Sequence, residues 1–571
     1  MRRRDLLRLA AASGAAGTVW ATPGRVSAQG APAVDLAIER ARIAIDGDPF
    51  AAISVAGSVP GPILRWREGR EAVVRVENRL DEPTSIHWHG ILLAGGMDGS
   101  PGFNGFAEIP PGETFTYRFA LRQAGTYWYH SHSAGQEQLG LYGAIVVEPA
   151  GGERIKADRD HVVVLSDHAA EHPATILRRL KASPDIYARP RTVGDLLRDA
   201  ARDGLGAALA DRAEWGAMRM PPNDLSDVSG YRFLVNGKGP GDNWTALFAP
   251  GERVRLRFVN ASAMTFFDVR VPGLRMTVVA ADGQDVLPVP VDEFRIGIGE
   301  TYDVIVQPKE ARAYAIAAEP LDRTGMALAT LAPRAGMRAE APAPKPRAVL
   351  AMEDMGHGIG GGHAGHATPT VAAADPHAGH GAPASTNPHA GHGAPAAADP
   401  HAAHGAAAPA VDPERPVGWA ATGADPGAKI LSYTDLKAFV PRRAPAPPTR
   451  ELRLVLGGQM GRYIWTLNGR RFDQDEPIRA AFGERIRITY ANATMMAHPM
   501  HLHGMFVELD NGQTERRPRK HVTIVPPGKE LSVLLTADEP GDWPFHCHLL
   551  YHMEAGMMTR FVVDPPKGRP A

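Results

Sequence analysis

The sequence is poor in cysteine and has no excess of charge of either sign. A single cysteine, Cys547, occurs in 571 residues, so no intrachain disulfide can form. The 62 basic and 63 acidic residues leave a formal net charge of −1, which gives no electrostatic reason to expect a nucleic-acid partner. The composition therefore excludes a disulfide scaffold and argues against a nucleic-acid-binding protein.

The first 30 residues predict an export signal rather than part of the fold. Arginines at 2–4 precede a small-residue apolar stretch at 9–21, and residues 26–28 form a plausible cleavage site. The apolar stretch is too short to span a membrane, so we expect no stable membrane insertion. The paired arginines favour the twin-arginine route, with an ordinary secretory signal as the alternative. Both routes predict a periplasmic protein.

A ten-residue pattern occurs three times in a chain that is too long for one hydrophobic core. Glycine and asparagine stand nine positions apart at 69–78, 251–260 and 483–492, with apolar residues at the third, fifth and seventh positions after the glycine. A period of two is typical of a strand with one buried face. The repeat predicts three homologous domains of an all-β protein.

The three domains are placed at about 35–150, 157–335 and 448–566, with a helical insertion at 173–215 in the second. Between the second and third domains, residues 336–447 are rich in Ala, Pro, Gly and His, and we expect a disordered linker that buries no core. This linker contains nine of the chain's 23 histidines, many of them in repeats such as Asp375 to Gly381. It either binds metal weakly or serves as a polar spacer.

Most histidines outside the linker fall into four tight clusters in the first and third domains. The clustered histidines are His87, His89, His130, His132, His498, His501, His503, His546, His548 and His552. Cys547 lies between two of them, which indicates a metal ligand rather than a core cysteine. A site that uses all four clusters has to lie where the first and third domains meet.

The His-x-His spacing suits metal binding in an extended chain. Side chains at i and i+2 point to the same face, so two imidazoles can serve neighbouring metals. In the segment 546–548 the cysteine points the opposite way, and one strand can bind a metal through sulfur on one face and further metals through nitrogen on the other. Such a strand would join two redox centres by a few covalent bonds.

The sulfur side of this strand predicts a blue-copper site, in which two histidines, one cysteine and a weak axial methionine bind the metal. Cys547 supplies the sulfur, His498 and His552 can supply nitrogen, and Met557 is the axial candidate. Eight histidines then remain, a number that suits three coppers. Structural zinc is the alternative, but it prefers four ligands, and this set is too large for it.

The clusters resemble the four copper-binding motifs of the multicopper oxidases, and further segments resemble the copper-resistance protein A branch of that family. The segments that carry this resemblance are 87–93, 97–99, 125–133, 295–304 and 546–558. It covers nearly the whole mature chain apart from the linker. The resemblance implies three cupredoxin-like Greek-key β-barrels and four coppers per chain.

The resemblance also implies a role for each ligand. Cys547, His498 and His552 would hold a type 1 copper with Met557 axial, and His87 and His501 a type 2 copper. The paired type 3 coppers would be held by His89, His130 and His548, and by His132, His503 and His546. Asp98 stands where the family has a carboxylate near the type 2 copper, and it is either a proton relay in catalysis or an ordinary turn residue.

The family chemistry is oxidation of a substrate by single electrons and reduction of dioxygen to water. We expect a periplasmic enzyme, a monomer, that oxidises cuprous ion in copper tolerance. A laccase-like oxidase of small phenols is the alternative, and a copper-sequestering protein is a more distant one. Methionines near the type 1 ligands are either cuprous ligands or core packing.

Overall fold

The computed structural model describes residues 33–188, 191–217, 225–350, 354, 418–442, 446–474 and 476–566. The export signal predicted for residues 1–30 and the histidine repeats of the linker lie outside these residues. Among the helices of the described ranges, none is long and apolar enough to cross a membrane.

The first domain consists of two four-stranded sheets. Its strands are β1 (Val34–Ile45), β2 (Asp48–Val55), β3 (Leu64–Arg67), β4 (Glu71–Asn78), β5 (His87–His89), β6 (Thr114–Ala120), β7 (Gly125–His130) and β8 (Tyr142–Glu148). The sheet orders are β2-β1-β4-β6 and β3-β8-β7-β5. Apolar side chains from both sheets form the buried core of this domain.

The second domain pairs a six-stranded with a five-stranded sheet and contains three helices. Its strands are β9 (Arg159–His168), β10 (Arg232–Val235), β11 (Thr245–Leu247), β12 (Val254–Asn260), β13 (Phe267–Arg270), β14 (Met276–Ala281), β15 (Gln284–Val291), β16 (Glu293–Ile296), β17 (Thr301–Val306), β18 (Tyr314–Pro320) and β19 (Ala327–Ala332). The sheet orders are β10-β9-β12-β17-β14-β15 and β11-β19-β18-β13-β16. Helices α1 (Pro173–Ala182), α2 (Val193–Asp203) and α3 (Leu205–Ala217) lie between β9 and β10 along the chain.

The third domain has the same arrangement of six and five strands. Its elements are β20 (Arg450–Gln459), β21 (Ile464–Leu467), β22 (Ile478–Ala480), β23 (Arg485–Asn492), β24 (His498–Leu502), β25 (Val507–Leu509), β26 (Arg519–Lys520), β27 (Val522–Val525), β28 (Glu530–Thr536), β29 (Gly541–Cys547), α4 (Leu550–Glu554) and β30 (Met558–Val563). The sheet orders are β21-β20-β23-β28-β25-β26 and β22-β30-β29-β24-β27. The prediction of an all-β protein is confirmed.

The repeated pattern forms an equivalent strand in each domain, namely β4, β12 and β23. Each of them pairs in parallel with the first long strand of its domain and antiparallel with a later one. The apolar positions of the pattern are all buried. The period of two therefore reflects one strand face packed on the core.

The asparagine that ends each pattern forms the turn after the strand. The side-chain oxygens of Asn78, Asn260 and Asn492 accept hydrogen bonds from the backbone N–H two residues later, at 2.9, 3.1 and 3.0 Å. Their amide groups donate to backbone carbonyls across the turn. Asparagine is favoured here because its short amide can satisfy buried backbone groups in place of a ladder partner.

The described flanks of the predicted linker pack on the second domain. Leu350 and Leu436 are buried in the same apolar core as that domain, and Lys345 forms an ion pair with Glu293. The hydroxyl of Tyr433 donates to Glu300 at 2.6 Å. The prediction that no part of 336–447 buries a core is therefore wrong at both flanks, because their scattered apolar residues find partners only in the folded domain.

Candidate metal centre

Strand pairing brings the predicted ligands together from distant parts of the sequence. In the first domain β5 and β7 are antiparallel neighbours, with His87 opposite His130. In the third domain β24 and β29 are antiparallel neighbours, with His501 opposite His546. These two strand pairs lie where the first and third domains meet.

Three predicted ligands form one compact group on the third domain, which we call the cysteine site: Cys547, His498 and His552. The Cys547 Sγ lies 3.5 Å from His498 Nδ1 and 3.7 Å from His552 Nδ1, and the two nitrogens are 3.2 Å apart. The fourth predicted ligand, Met557, is fully buried, and its carbonyl accepts the backbone N–H of Cys547 at 3.0 Å. The sulfur and both nitrogens therefore converge on one point.

The other nitrogen of each imidazole in the cysteine site is held by a polar partner. His498 Nε2 lies 2.7 Å from the hydroxyl of Thr494, and His552 Nε2 lies 2.7 Å from Asp227 Oδ2. The ring of Trp465 stacks on His552 with centroids 3.7 Å apart. Burial lowers the pKa of His498 and raises the pKa of the Cys547 thiol, so this pocket disfavours charge unless a cation is bound.

The remaining eight clustered histidines come together as a second group, the histidine cluster: His87, His89, His130, His132, His501, His503, His546 and His548. Within His89, His130 and His548 the ring centroids are 4.9, 5.1 and 5.6 Å apart. Within His132, His503 and His546 they are 5.0, 5.2 and 5.3 Å apart. His87 and His501 stack on members of these trios, on His503 and His89 respectively, at 3.9 Å.

The imidazoles of the histidine cluster are buried bases with nitrogen atoms that no protein group satisfies. The Nε2 atoms of His87, His130, His132 and His501 are buried and have no hydrogen-bond partner among the described residues. Burial, and next the neighbouring imidazoles, hold the pKa values of His130 and His132 well below the usual range. Burial lowers the pKa of His546 to about 4. Neutral imidazoles with free lone pairs are what a metal requires of its ligands.

The two groups of donors fit copper. An unpaired buried nitrogen is costly, and several of them facing one another imply a cation that the chain was selected to hold. A thiolate with two imidazoles suits a blue-copper site, and imidazole suits copper generally. The cysteine site and the histidine cluster are covalently joined, because Cys547 stands between His546 and His548 at the end of one strand.

Asp98 lies against two members of the histidine cluster. Its Oδ2 accepts a hydrogen bond from the Ser100 hydroxyl at 2.6 Å and lies 2.9 Å from His503 Nδ1. Its Oδ1 and its carbonyl lie 3.3 and 2.9 Å from His87 Nδ1. A buried carboxylate at these nitrogens orients both rings and lies within proton-transfer distance of them.

Three partners of the ligands were missed by sequence reasoning. Glu137 Oε2 lies 2.8 Å from His130 Nδ1, Asp227 contacts His552, and His521 Nδ1 lies 3.1 Å from His89 Nε2. His521 was visible only as a histidine outside the four clusters. Asp227 has no local signal, because it meets His552 only through the tertiary fold. Glu137 follows His130 closely in the chain, but no motif marks it as a partner.

A cavity of about 710 Å³ extends from the surface to His132. Its lining includes Ser100, Phe103, Tyr463 and Met553. His132 is the least buried member of the histidine cluster. A small molecule could therefore approach the cluster from this side.

Comparison with known proteins connects this geometry with one family. Three family models described as multicopper oxidase match residues 37–152, 191–335 and 445–567. The chain is 45% identical to copper resistance protein A of Escherichia coli over 603 aligned residues, which cover 98% of this chain and 99% of that protein. It is 44% identical to copper resistance protein A of Pseudomonas syringae pv. tomato, again over 98% and 99%.

Solved structures share the fold at low sequence identity. The laccase of Botrytis aclada superimposes with a TM-score of 0.64 at 21% identity, over 93% of this chain and 87% of that chain. The prediction of three cupredoxin-like domains is confirmed by this shared fold.

Proposed function

The chain belongs to the multicopper oxidase family, and from this premise we propose that it is a periplasmic oxidase of cuprous ion that serves copper tolerance. Bound copper would supply one-electron transfer from the reductant and four-electron reduction of dioxygen to water. The similar proteins are named for copper resistance, which supports the role in tolerance.

The proposed ligand sets follow the two groups of donors. Cys547, His498, His552 and Met557 hold the type 1 copper. His87 and His501 hold the type 2 copper, and the two trios of the histidine cluster each hold one type 3 copper. The observation that carries the oxidase proposal is the histidine cluster, whose buried, unpaired nitrogens converge from two domains. A protein that only sequestered copper would need no such cluster joined to a thiolate site by consecutive residues.

Asp98 and the cavity at His132 serve the reaction at the histidine cluster. The cavity gives dioxygen and water a path between solvent and His132. Formation of water consumes protons, and Asp98 accepts and releases them at Oδ2, beside the Ser100 hydroxyl. The same carboxylate holds the rings of His87 and His503.

The surroundings of His552 support cuprous ion over a phenol as the reductant. The His552 ring is fully buried, and its Nε2 faces Asp227 rather than solvent. Asp227 Oδ2 also accepts a hydrogen bond from the Tyr463 hydroxyl at 2.6 Å. Within the described residues a carboxylate therefore covers the outer edge of His552, where a laccase substrate would need an open apolar surface. A carboxylate attracts a cation and provides a short path from it to the ring.

The test compares oxygen uptake with cuprous ion and with a small phenol, in the copper-loaded chain and in its Asp227→Asn variant. We expect faster uptake with cuprous ion, and we expect Asp227→Asn to lower the kcat/KM for cuprous ion by about 10–100-fold. The loss for the phenol should be smaller, because a neutral reductant is not drawn to the carboxylate by Coulomb attraction. Asp242→Asn, which changes an exposed carboxylate of the same domain, is the control.

Faster uptake with the phenol would replace the proposal by a laccase-like oxidase. A chain that binds copper without consuming oxygen would leave only sequestration. Equal losses for both reductants in Asp227→Asn would show that Asp227 acts on His552 alone and not on the incoming cation.

A further inference from the structure

Five rings of the histidine cluster share one mode of attachment. In each of them Nδ1 is bound to the protein, so that Nε2 is left for a metal. The contacts are His87 and His503 with Asp98, His130 with Glu137, His501 with the carbonyl of His521, and His546 with the carbonyl of Cys547. Such partners fix the tautomer and the orientation of a ligand ring.

His89 is attached the other way round. Its Nδ1 faces the Nε2 of His548 at 3.3 Å, so Nδ1 is the inward atom. Its Nε2 points away from His548 and lies 3.1 Å from the Nδ1 of His521. The outward nitrogen of His89 is therefore bound by an imidazole, whereas the outward nitrogens of the five other rings are bound by carbonyl or carboxylate oxygens.

His521 is held by contacts of both its backbone and its ring. Its backbone N–H donates to Asp282 Oδ2 at 3.1 Å, and its ring lies against the backbone of Gly90, where a Cβ would come within 2.5 Å of the His521 ring. Gly90 has a φ of +82°, a second reason why only glycine suits this position. The backbone of Gly90 therefore limits the His521 ring on this side.

We propose that His521 is a positioning residue that fixes the tautomer of His89 and so completes one type 3 copper site. The inference rests on the proposed function, which assigns His89 to that copper. A free lone pair on His89 Nδ1 requires the proton on its Nε2, and His521 Nδ1 accepts that proton in a hydrogen bond. His521 then carries its own proton on Nε2, which is buried without a partner among the described residues.

The carbonyl and the ring of His521 act on different ligands, and substitution can separate them. The carbonyl orients His501 and remains in any variant. Among the described ligands, the ring is hydrogen-bonded to His89 alone. Loss of the ring should therefore weaken the copper at His89 and spare the one at His501 and the cysteine site.

The experiment measures copper affinity by chelator competition in the full chain carrying His521→Phe, His521→Leu or His521→Asn. Phe and Leu offer no acceptor, so we expect the affinity of one type 3 copper to fall by about 10–100-fold. Its partner should then give an electron paramagnetic resonance signal that the coupled pair lacks. Asn offers an acceptor oxygen near the position of Nδ1 and should restore most of the affinity. His168→Phe is the matched control, since it removes a buried histidine of the second domain whose ring packs on Phe50.

The blue absorption of the cysteine site reports in every variant that the third domain is folded. Wild-type affinity in both His521→Phe and His521→Leu would overturn the inference, as would an equal loss in His521→Asn. A wild-type chain that takes up no paired copper would instead overturn the proposed function. The two failures are thus distinguishable.

Discussion

The second and third domains have the same strand order, yet only the third has a cysteine site. Their six-stranded and five-stranded sheets correspond strand for strand, so that β13 and β18 of the second domain are the counterparts of β24 and β29 of the third. Counted from the repeated asparagine, Phe266 stands at the position of His498. Across the strand pair, Asp268 faces Glu319 as Met500 faces Cys547.

At these equivalent positions the second domain holds ion pairs. Asp268 binds Arg295 and Arg323 at 2.7 and 2.6 Å, and Glu319 pairs with Arg270. Burial alone would raise the pKa of Asp268, but the two guanidinium groups outweigh it and hold that pKa well below its usual range. The same fold therefore compensates buried polar side chains in two ways. In the second domain arginines neutralise the buried carboxylates. In the third domain the buried sulfur and nitrogen donors would be compensated by a metal ion.

The largest expected effect comes from breaking the cysteine site alone. Cys547→Ser removes the sulfur donor but keeps the strand and the flanking histidines, so we expect the blue absorption to vanish. Oxygen uptake should fall by more than about 100-fold, which is the upper end of the loss expected when a residue that orients a metal ligand is removed. The histidine cluster should still take up copper. A visible spectrum, oxygen uptake and the copper content check this, with Thr559→Val, a buried change on the neighbouring strand, as control.

A smaller effect on turnover is expected at Asp98. This buried carboxylate contacts imidazoles, whereas the buried carboxylates of the second domain contact guanidinium groups. Asp98→Asn keeps an acceptor oxygen but cannot carry a proton, so turnover should fall by about 10²–10⁴-fold while the copper content is kept. Ser100→Ala, which removes only the neighbouring hydroxyl, should cost less. If copper is lost in parallel with turnover, Asp98 only orients His503 and does not relay protons.

The ligand clusters and the three β domains could be predicted because their signals are local. His-x-His pairs lie within three residues, and the repeated strand occupies ten. Pairing of β5 with β7 and of β24 with β29 then brings together the predicted ligands on these strands, within the first and within the third domain.

The partners of His552 and His89 could not be predicted because they depend on how the domains pack. His552 and Asp227 are 325 residues apart, and His89 and His521 are 432 apart. Nothing in the sequence around Asp268 shows that it forms buried ion pairs, because a charged residue in a strand is also typical of a surface position. Contacts of this range follow from the assembled fold and not from periodicity or spacing.

The smallest effect on catalysis, but a clear one on stability, is expected in the second domain. Asp268→Asn leaves Arg295 and Arg323 buried without their carboxylate, so unfolding should become easier by about 3–5 kcal/mol. Calorimetry of thermal unfolding measures the loss. Glu310→Gln, which breaks an exposed ion pair with Arg312 in the same domain, should cost at most about 1 kcal/mol. Blue absorption and turnover of the folded Asp268→Asn chain should stay at wild-type levels.

The pH dependence of stability tests whether Asp268 acts through its charge. Because the pKa of Asp268 is lower in the folded than in the unfolded state, its contribution to stability is fully present above the unfolded value of about 3.9 and is lost as the pH falls through the lower folded value. Wild-type and Asp268→Asn chains should therefore differ most in unfolding temperature above about pH 5 and converge in stronger acid. A constant difference across this range would mean that Asp268 contributes by packing and not by its charge, so that its contacts with Arg295 and Arg323 do not stabilise the fold as ion pairs.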